Sequence, residues 1–522
     1  MENYILILNN LFNNITNIHN NTKKVNTRQR SLTLKDVISY SFLMSYKNTS
    51  KGKAIEIVKK KLKIKTDDSC FQRKLNNVSV DFFKNLYSEI NNKINDIINE
   101  TLELQEISKI LTNNYVELKD NDDNDLIPTA VDGMCSNKIE NGKLTTKEDL
   151  FIYNIANGFV DDICCDNDKL LYFHNNVNNE SDKNGELNKL IKFIELNHDK
   201  LKNKILIMDR LYSSYKLFII LKTYNIKYII RMKDCLDLLK PIQEIKKSNQ
   251  YYKHIIEMKN DVNIKIVNFY IPVEKKVVTK TNEVKTIKFS SRYHLITNLG
   301  DIKSYSDDLI KKLYKSRWNI EVNNKKIKEN FKFETFYGND EDFVKQKYIS
   351  LINEALVKFI ILVCGSCRYK VNKEKFNKTV NKRKPKRENL NMTLKKNKDK
   401  IKDYENEQTY EARININFSK AVDGFYSVLL LKIINGNLDI ETLNEYNNEN
   451  IKVEKYKSNR SYERRSIVPY TKWYIKMYHK KYEYEKIIDA IVNDTIDKLN
   501  KNLKTKALEI KENLLKITII KI

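Results

Sequence analysis

Strand-like and helical segments alternate through residues 127–233, and this alternation limits the possible folds more than any other feature of the chain. The strand-like segments read IPTAVDGM, LFIYNIANGF, DKLLYFHNN, KILIMDR and KYIIRMK. The helical segments read GELNKLIKFIELN and SSYKLFIILKTYN. Because strand–helix–strand units place their strands parallel in one sheet, the pattern predicts an α/β fold with parallel strands.

The segments on either side of this core have different patterns. Residues 1–118 carry apolar positions at helical spacing, and residues 405–522 return to such spacing. Residues 234–300 are rich in β-branched side chains and show no helical period, which predicts an antiparallel β-rich insertion. Residues 371–404 are basic and almost without large apolar side chains, as is typical of a solvated linker.

The chain is strongly basic. It has 95 lysines and arginines against 68 aspartates and glutamates, a net charge of +27. Such an excess favours a polyanionic partner, and nucleic acid is the leading candidate. Drift in coding composition is an alternative source of the lysines, because asparagine, lysine and isoleucine are all abundant. The helical residues 1–118 are therefore a candidate DNA-binding domain.

The cysteines and the apolar segments indicate the compartment. Seven cysteines are scattered at irregular spacing, which is typical of a reduced intracellular protein. The most apolar run, ALVKFIILVC, is too short and too interrupted by lysine to span a bilayer, so we expect no membrane partner. The sequence predicts a soluble intracellular protein and leaves cytoplasm and nucleus open.

A long helix is predicted after residue 305, and its charged positions share one face. Positions three, four or seven residues apart lie on the same side of a helix. One such stripe consists of Tyr314, Arg317, Glu321 and Lys328. The stripe one position earlier is apolar and consists of Leu313, Ile320 and Ile327. Because Arg317 and Glu321 are four residues apart, a simple surface ion pair is the alternative interpretation.

Two aspartates elsewhere in the chain favour a functional site over a simple surface ion pair. Asp132 ends the strand-like TAVD, and Asp209 ends the buried strand ILIM. In α/β sheets, ligands gather at the carboxyl ends of strands. Carboxylate oxygens suit Mg²⁺, and three carboxylates could hold two ions about 3.5–4 Å apart. The six histidines are dispersed without zinc-ligand spacing.

Taken together, these positions resemble the DDE transposases of bacterial insertion sequences, the cut-and-paste group with a Tyr-x2-Arg-x3-Glu-x6-Lys signature. The signature is complete in YKSRWNIEVNNKKIK, and VDG and MDRLY match the surroundings of the two family aspartates. The similarity covers most of residues 28–365 and extends faintly to NRSYERRS. Leu211 replaces the usual glycine of the second motif, and Met134 replaces a common threonine or serine.

The resemblance implies an RNase H-like catalytic core with a β-rich insertion. It implies two Mg²⁺ ions, with Mn²⁺ as a substitute, held by Asp132, Asp209 and Glu321. The implied reaction is phosphodiester hydrolysis and strand transfer on double-stranded DNA, at the transposon's terminal repeats and the target, by a homodimer. The implied order is 1–118 helical DNA-binding domain, 119–233 and 301–370 catalytic core, 234–300 insertion, 371–404 basic linker, and 405–522 a helical region for dimerisation or DNA contact.

The resemblance also implies DNA contacts around the glutamate. The residues expected to contact DNA are Tyr314, Arg317, Lys328, Arg210, Trp318 and Lys325. Trp318 would stabilise a flipped base, and packing beneath the helix is the alternative for its large side chain. Structural pairing is the alternative for Arg210. Lys325 would add backbone affinity that depends on salt.

Two other functions remain open from the sequence. One is a transposon relic or domesticated protein that binds DNA ends without cutting them. The other is an RNase H-like nuclease that cleaves without joining strands. A joined product would separate a transposase from the nuclease, and cleavage of any kind would exclude the binding protein.

Overall fold

The computed structural model describes residues 2–14, 32–47, 49–112, 118–165, 185–278, 284–300, 302, 305–394 and 412–455. All of these lie in one compact unit, Met1–Tyr456. Two predicted segments lie outside the described residues entirely, the strand-like DKLLYFHNN and the arginine-rich NRSYERRS. The predicted C-terminal helix YEYEKIIDAIVNDTIDKLNKNL lies outside them too.

Helices form the N-terminal part of the chain. They are α1 (Glu2–Asn10), α2 (Leu34–Ser45), α3 (Lys51–Leu62), α4 (Asp68–Asn77), α5 (Val80–Glu100) and α6 (Leu102–Thr112). Side-chain caps fix several of their starts. At α2, for example, Thr33 and Asp36 form a reciprocal capping box.

An eight-stranded mixed sheet follows. Its strands are β1 (Ile127–Glu140), β2 (Lys143–Asn154), β3 (Val160–Cys164), β4 (Lys204–Met208), β5 (Lys227–Arg231), β6 (Lys265–Val278), β7 (Val284–Thr297) and β8 (Thr335–Tyr337). The order is β3-β2-β1-β4-β5-β7-β6, and β8 lies beside β1. Strand β4 runs parallel to β1 and β5, while β2 and β3 are antiparallel to their neighbours. The predicted α/β fold is confirmed.

The hairpin of β1 and β2 turns at two residues with left-handed backbone. Asn141 has φ 50° and Gly142 has φ 76°. Asparagine and glycine are the residues that tolerate this conformation in two-residue hairpin turns. The turn sets a register of twelve residue pairs, from Thr129–Asn154 to Glu140–Lys143.

Helices α7 (Glu186–Leu201), α8 (Tyr215–Thr223) and α9 (Tyr252–Asn260) pack on one face of the sheet. The helix α9 contradicts the expectation that residues 234–300 hold no helix. The hairpin of β6 and β7 is antiparallel, but it is not separate from the core. Strand β7 pairs with β5, so the hairpin continues the main sheet.

The other face carries α10 (Asp307–Ser316), α11 (Trp318–Asn330) and α12 (Asp340–Leu394). The helix predicted as continuous from residue 306 is two helices, since the pattern of helical hydrogen bonds breaks at Arg317. The apolar stripe is confirmed, because Leu313, Ile320 and Ile327 are all buried.

Within α12, the segment Asp340–Cys367 is long and apolar enough to cross a bilayer by length and composition. It is nevertheless interior, with 94% of its most apolar window buried in the protein. Helix α12 also continues through residues 371–394, where we predicted a linker.

The described C-terminal elements are short. They are β9 (Ala412–Ile416), α13 (Phe418–Gly424), a π-helical turn (Phe425–Leu429), α14 (Leu430–Asn435), α15 (Ile440–Asn450) and β10 (Ile451–Lys455). Strands β9 and β10 form a separate two-stranded antiparallel sheet.

Candidate active site

The register of β1 and β4 places two aspartates side by side. The parallel pairing of these strands reaches Ala130 and Ile207. Two residues further along each strand direction lie Asp132 and Asp209. Asp132 was expected at the end of its strand, and this is wrong, because β1 continues to Glu140. The neighbouring strand β4 ends at Met208, directly before Asp209. Beyond Ala130, strand β1 therefore no longer pairs with β4.

The direction of the Asp132 side chain follows from strand alternation. Ala130 and Met134 pack in the core that contains α11 and α12. Asp132 lies between them at two-residue spacing, so it faces the same side. Gly133 faces the opposite side, where α7 and α8 pack. The carboxylate of Asp132 therefore points toward the helix that carries Glu321.

Asp209 begins a short 3-10 turn, Arg210–Tyr212, directly after β4. Its Oδ1 accepts a hydrogen bond from the backbone nitrogen of Leu211 at 2.6 Å. Leu211 is exposed and has no positive φ, so the replacement of the family's usual glycine leaves this turn unstrained. The turn holds the Asp209 carboxylate at the end of the strand.

Glu321 lies in the first turn of α11 and is paired with Arg317. Arg317 Nη2 lies 2.5 Å from Glu321 Oε1, so the pair expected from the four-residue spacing is present. The Arg317 guanidinium carbon also lies 5.9 Å from the ring centre of Tyr314. The three signature residues therefore form one connected group.

The charges around Asp132 act on its carboxylate. The pKa of Asp132 is raised to about 6, mainly by burial; Arg317 opposes this increase, and the charges of Glu321 and Asp209 contribute to it. A carboxylate in low dielectric beside two like charges is hard to ionise. A bound cation would relieve this repulsion, so the donor set fits a hard divalent ion in its chemistry.

The carboxylates do not converge on one point in this structure. Among the described residues, no group of three or more histidine, cysteine, aspartate or glutamate side chains is arranged to hold a metal ion. Glu321 is turned to Arg317, and Asp209 is turned to the backbone of its own turn.

Glu186 is a fourth carboxylate beside the site, and it belongs to no sequence motif. It is the first residue of α7, and the hydroxyl of the buried Tyr212 donates a hydrogen bond to its Oε1. The pKa of Glu186 is raised to about 8, mainly by burial and in part by the charges of Glu148, Asp132 and Asp209. Glu186 approaches β1 from the face opposite to Glu321.

Gly133 makes this approach possible. A β-carbon at residue 133 would lie 2.5 Å from the carboxyl carbon of Glu186, closer than such contacts occur. We expect Gly133→Ala to displace Glu186 from the Tyr212 hydroxyl and to lower the free energy of unfolding by about 1–3 kcal/mol, the loss typical of a buried unsatisfied group. Urea unfolding measures this difference.

Two variants test that explanation. Gly52→Ala is the control, since a β-carbon there meets nothing within 4 Å. In a Glu186→Ala background, Gly133→Ala should cost much less, because the clash is gone. An equal loss in both backgrounds would contradict the role of Glu186.

The remaining predicted DNA-contact residues lie in different environments. Tyr314 is buried, at 8% exposure, whereas Trp318 is 60% exposed, so packing of Trp318 beneath the helix is wrong. Lys325 is exposed and lies 3.8 Å from Glu329. Arg210 is exposed beside Asp209, and Lys328 is half-buried where its charge acts on Cys135 of β1.

The sheet thus places Asp132 on β1 beside Asp209 after the end of β4, and Glu321 lies on a helix that covers this face. Residues 163–353 match the family model described as "Transposase DDE domain". This match includes Asp209 and Glu321 and begins after Asp132.

A curated relative agrees with the family model. The chain is 26% identical over 137 residues to the "Putative transposase for insertion sequence element IS4SA" of Synechocystis sp. (strain ATCC 27184 / PCC 6803 / Kazusa). The aligned region covers 24% of this chain and 38% of that relative. Over these parts of its length the chain is similar to DDE transposases of the IS4 type, and it spans well under half of the curated relative.

Proposed function

We propose that this protein is a DNA transposase that hydrolyses phosphodiesters at transposon ends and joins the freed 3′ ends to target DNA. Asp132, Asp209 and Glu321 form its active site. The register of β1 and β4 is the observation that carries this proposal, because it brings together residues 77 positions apart in the chain. The family model supports the proposed transposase function independently, and its range contains Asp209 and Glu321.

The catalytic core is RNase H-like in this proposal. The strand order β3-β2-β1-β4-β5, with β4 and β5 parallel to β1, supports that fold, as does the packing of helices on both faces. The β6–β7 hairpin between Asp209 and Glu321 corresponds to the insertion and extends the sheet.

Asp132, Asp209 and Glu321 would hold the divalent ions, which are Mg²⁺ in this proposal and Mn²⁺ as a substitute. Bound ions activate the attacking hydroxyl group and stabilise the leaving oxygen. Arg317 neutralises Glu321 and is only 14% exposed in its side chain. With Glu321 as a metal ligand, the Arg317 guanidinium would be free to donate hydrogen bonds to a phosphate oxygen beside the site.

The surface around the site suits double-stranded DNA. Trp318 and Lys325 lie exposed on α11, and Arg210 lies exposed at the end of β4. An exposed indole can stack on a base, and cations contact phosphates with a salt dependence set by their number. The terminal repeats and the target DNA are the proposed substrates, and a homodimer is the proposed assembly that brings two ends together.

The test uses the purified full chain, Mg²⁺ and duplex DNA with the repeats that flank its own gene. Wild type, Asp132→Asn and Asp308→Asn are compared for nicking at the repeat end and for joined products. Asp308 is the control, since it lies exposed on α10. Nicking and joining by wild type and the control alone would support the proposal. Cleavage without joining would indicate a nuclease, and binding without cleavage would indicate a DNA-binding relic.

A further inference from the structure

An asparagine on the glutamate helix contacts the first aspartate directly. Asn324 follows Glu321 by three residues, so the two share a face of α11. Its Nδ2 donates a hydrogen bond to Asp132 Oδ2 at 3.3 Å. The contact bridges 192 positions of sequence and joins α11 to β1 at the carboxylate itself.

The other end of this amide has no partner. Asn324 is only 8% exposed, and its Oδ1 is buried without a hydrogen bond. A buried acceptor left unsatisfied costs about 1–3 kcal/mol. Exchanging the two amide ends would place Oδ1 against the carboxylate of Asp132, so that two acceptors face each other. The observed orientation is therefore the one that the carboxylate selects.

The preceding residue provides an internal comparison. Asn323 is also buried, at 3% exposure, and its Nδ2 has no hydrogen-bond partner. It lines a cavity of about 370 Å³ between α6, α11 and α12, so its side chain lies in a different place from that of Asn324. Of these two adjacent buried asparagines, Asn324 contacts Asp132 and Asn323 lines the cavity, so Asn323 can serve as the control position.

We propose that Asn324 is a positioning residue of the active site, which holds the Asp132 carboxylate in the orientation that a divalent cation needs. The inference rests on the proposed function, since it assigns Asp132 the role of a metal ligand. Residues that hydrogen-bond a ligating side chain fix its direction, and their loss typically lowers metal affinity about 10–100-fold.

The experiment measures Mn²⁺ binding to the full-length protein by calorimetry, without DNA. Asn324→Leu is compared with Asn323→Leu, which makes the same change one residue earlier. We expect Asn324→Leu to weaken Mn²⁺ binding about tenfold or more and Asn323→Leu to leave it unchanged. Asn324→Gln, which keeps the amide on a longer side chain, should recover part of the loss.

Thermal unfolding separates this role from a structural one. Asn323→Leu removes a buried polar atom without a partner, so its melting temperature should equal or exceed that of the wild type. Asn324→Leu also removes the hydrogen bond that Asp132 accepts, so its melting temperature should fall slightly. Mn²⁺ binding that is weakened at a temperature where both variants are fully folded is the result that a merely structural asparagine would not give. Equal Mn²⁺ affinity for Asn324→Leu and Asn323→Leu would overturn the inference.

Asp132→Asn distinguishes failure of the inference from failure of the proposed function. If Asp132→Asn abolishes Mn²⁺ binding while Asn324→Leu does not weaken it, Asp132 is a ligand and Asn324 does not position it. If Asp132→Asn leaves Mn²⁺ binding intact, the proposed metal site is itself wrong, and the role of Asn324 falls with it.

Discussion

Glu321→Gln should lower the rate of DNA cleavage by about 10³-fold or more, because a neutral amide cannot replace a carboxylate ligand that contributes several kcal/mol to the transition state. Binding of the repeat DNA should remain, since the exposed cations and Trp318 are unchanged. Cleavage is measured on end-labelled duplex at saturating Mg²⁺, and binding is measured by gel shift on the same duplex.

Glu329→Gln is the matched control for this result. Glu329 lies on the same helix, and its substitution by glutamine removes the same charge. Its side chain is exposed, with Oε1 3.8 Å from Lys325 Nζ. Its variant should cleave at the wild-type rate, since exposed ion pairs contribute little. Equal cleavage by Glu321→Gln and Glu329→Gln would remove Glu321 from the site.

Lys347→Met should lower the free energy of unfolding by about 3–5 kcal/mol, the range found when one partner of a buried ion pair is removed. Lys347 on α12 and Asp149 on β2 form an ion pair in which both side chains are completely buried. The Lys347 ammonium also lies 3.6 Å from the ring centre of Phe343. The variant leaves the Asp149 charge in the core without its cation. Urea unfolding followed by circular dichroism measures the loss.

A control variant and a double variant test whether the loss of stability comes from the unpaired charge of Asp149. Lys345→Met removes another buried lysine of α12, which donates to the backbone oxygen of Asn76 at 3.1 Å rather than to a carboxylate. Its loss should be near 1 kcal/mol, as for an ordinary hydrogen bond. The double variant Lys347→Met/Asp149→Leu should recover most of the stability, because no buried charge is left over. A loss no larger than that of Lys345→Met would show that the buried pair contributes little.

The parts of the fold that local pattern determines were predictable. Strands β4 and β5 and helices α7 and α8 follow directly from runs of apolar residues with the expected periods. Helix α9 was missed because it has only nine residues and precedes a long segment rich in β-branched side chains, which dominated the prediction for residues 234–300. The length of β1 was also missed, although Asn141-Gly142 is a strong hairpin signal that predicts pairing beyond Asp132.

In the candidate site, too, the residues set by local sequence were predictable and those set by distant contacts were not. Asp209 could be placed from sequence because the end of a buried strand is a local feature. Glu186 and Asn324 could not, because their relevance depends on contacts with Gly133 and Asp132, which lie far away in the chain. Neither residue belongs to a motif of regular spacing. Only the paired register of β1 and the packing of α7 and α11 against it bring them to the site.

Helix α12 determines how the molecule can be divided. It contacts α2, α5 and α6 of the N-terminal part, β8 of the main sheet and the small sheet of β9 and β10. Its apolar segment Asp340–Cys367 is covered only because all of these elements surround it. A fragment cut at residue 118 would uncover an apolar helix of membrane-spanning length, and we expect such a fragment to aggregate. The N-terminal helices and the main sheet therefore form one folding unit, and neither part should be stable when the other is removed.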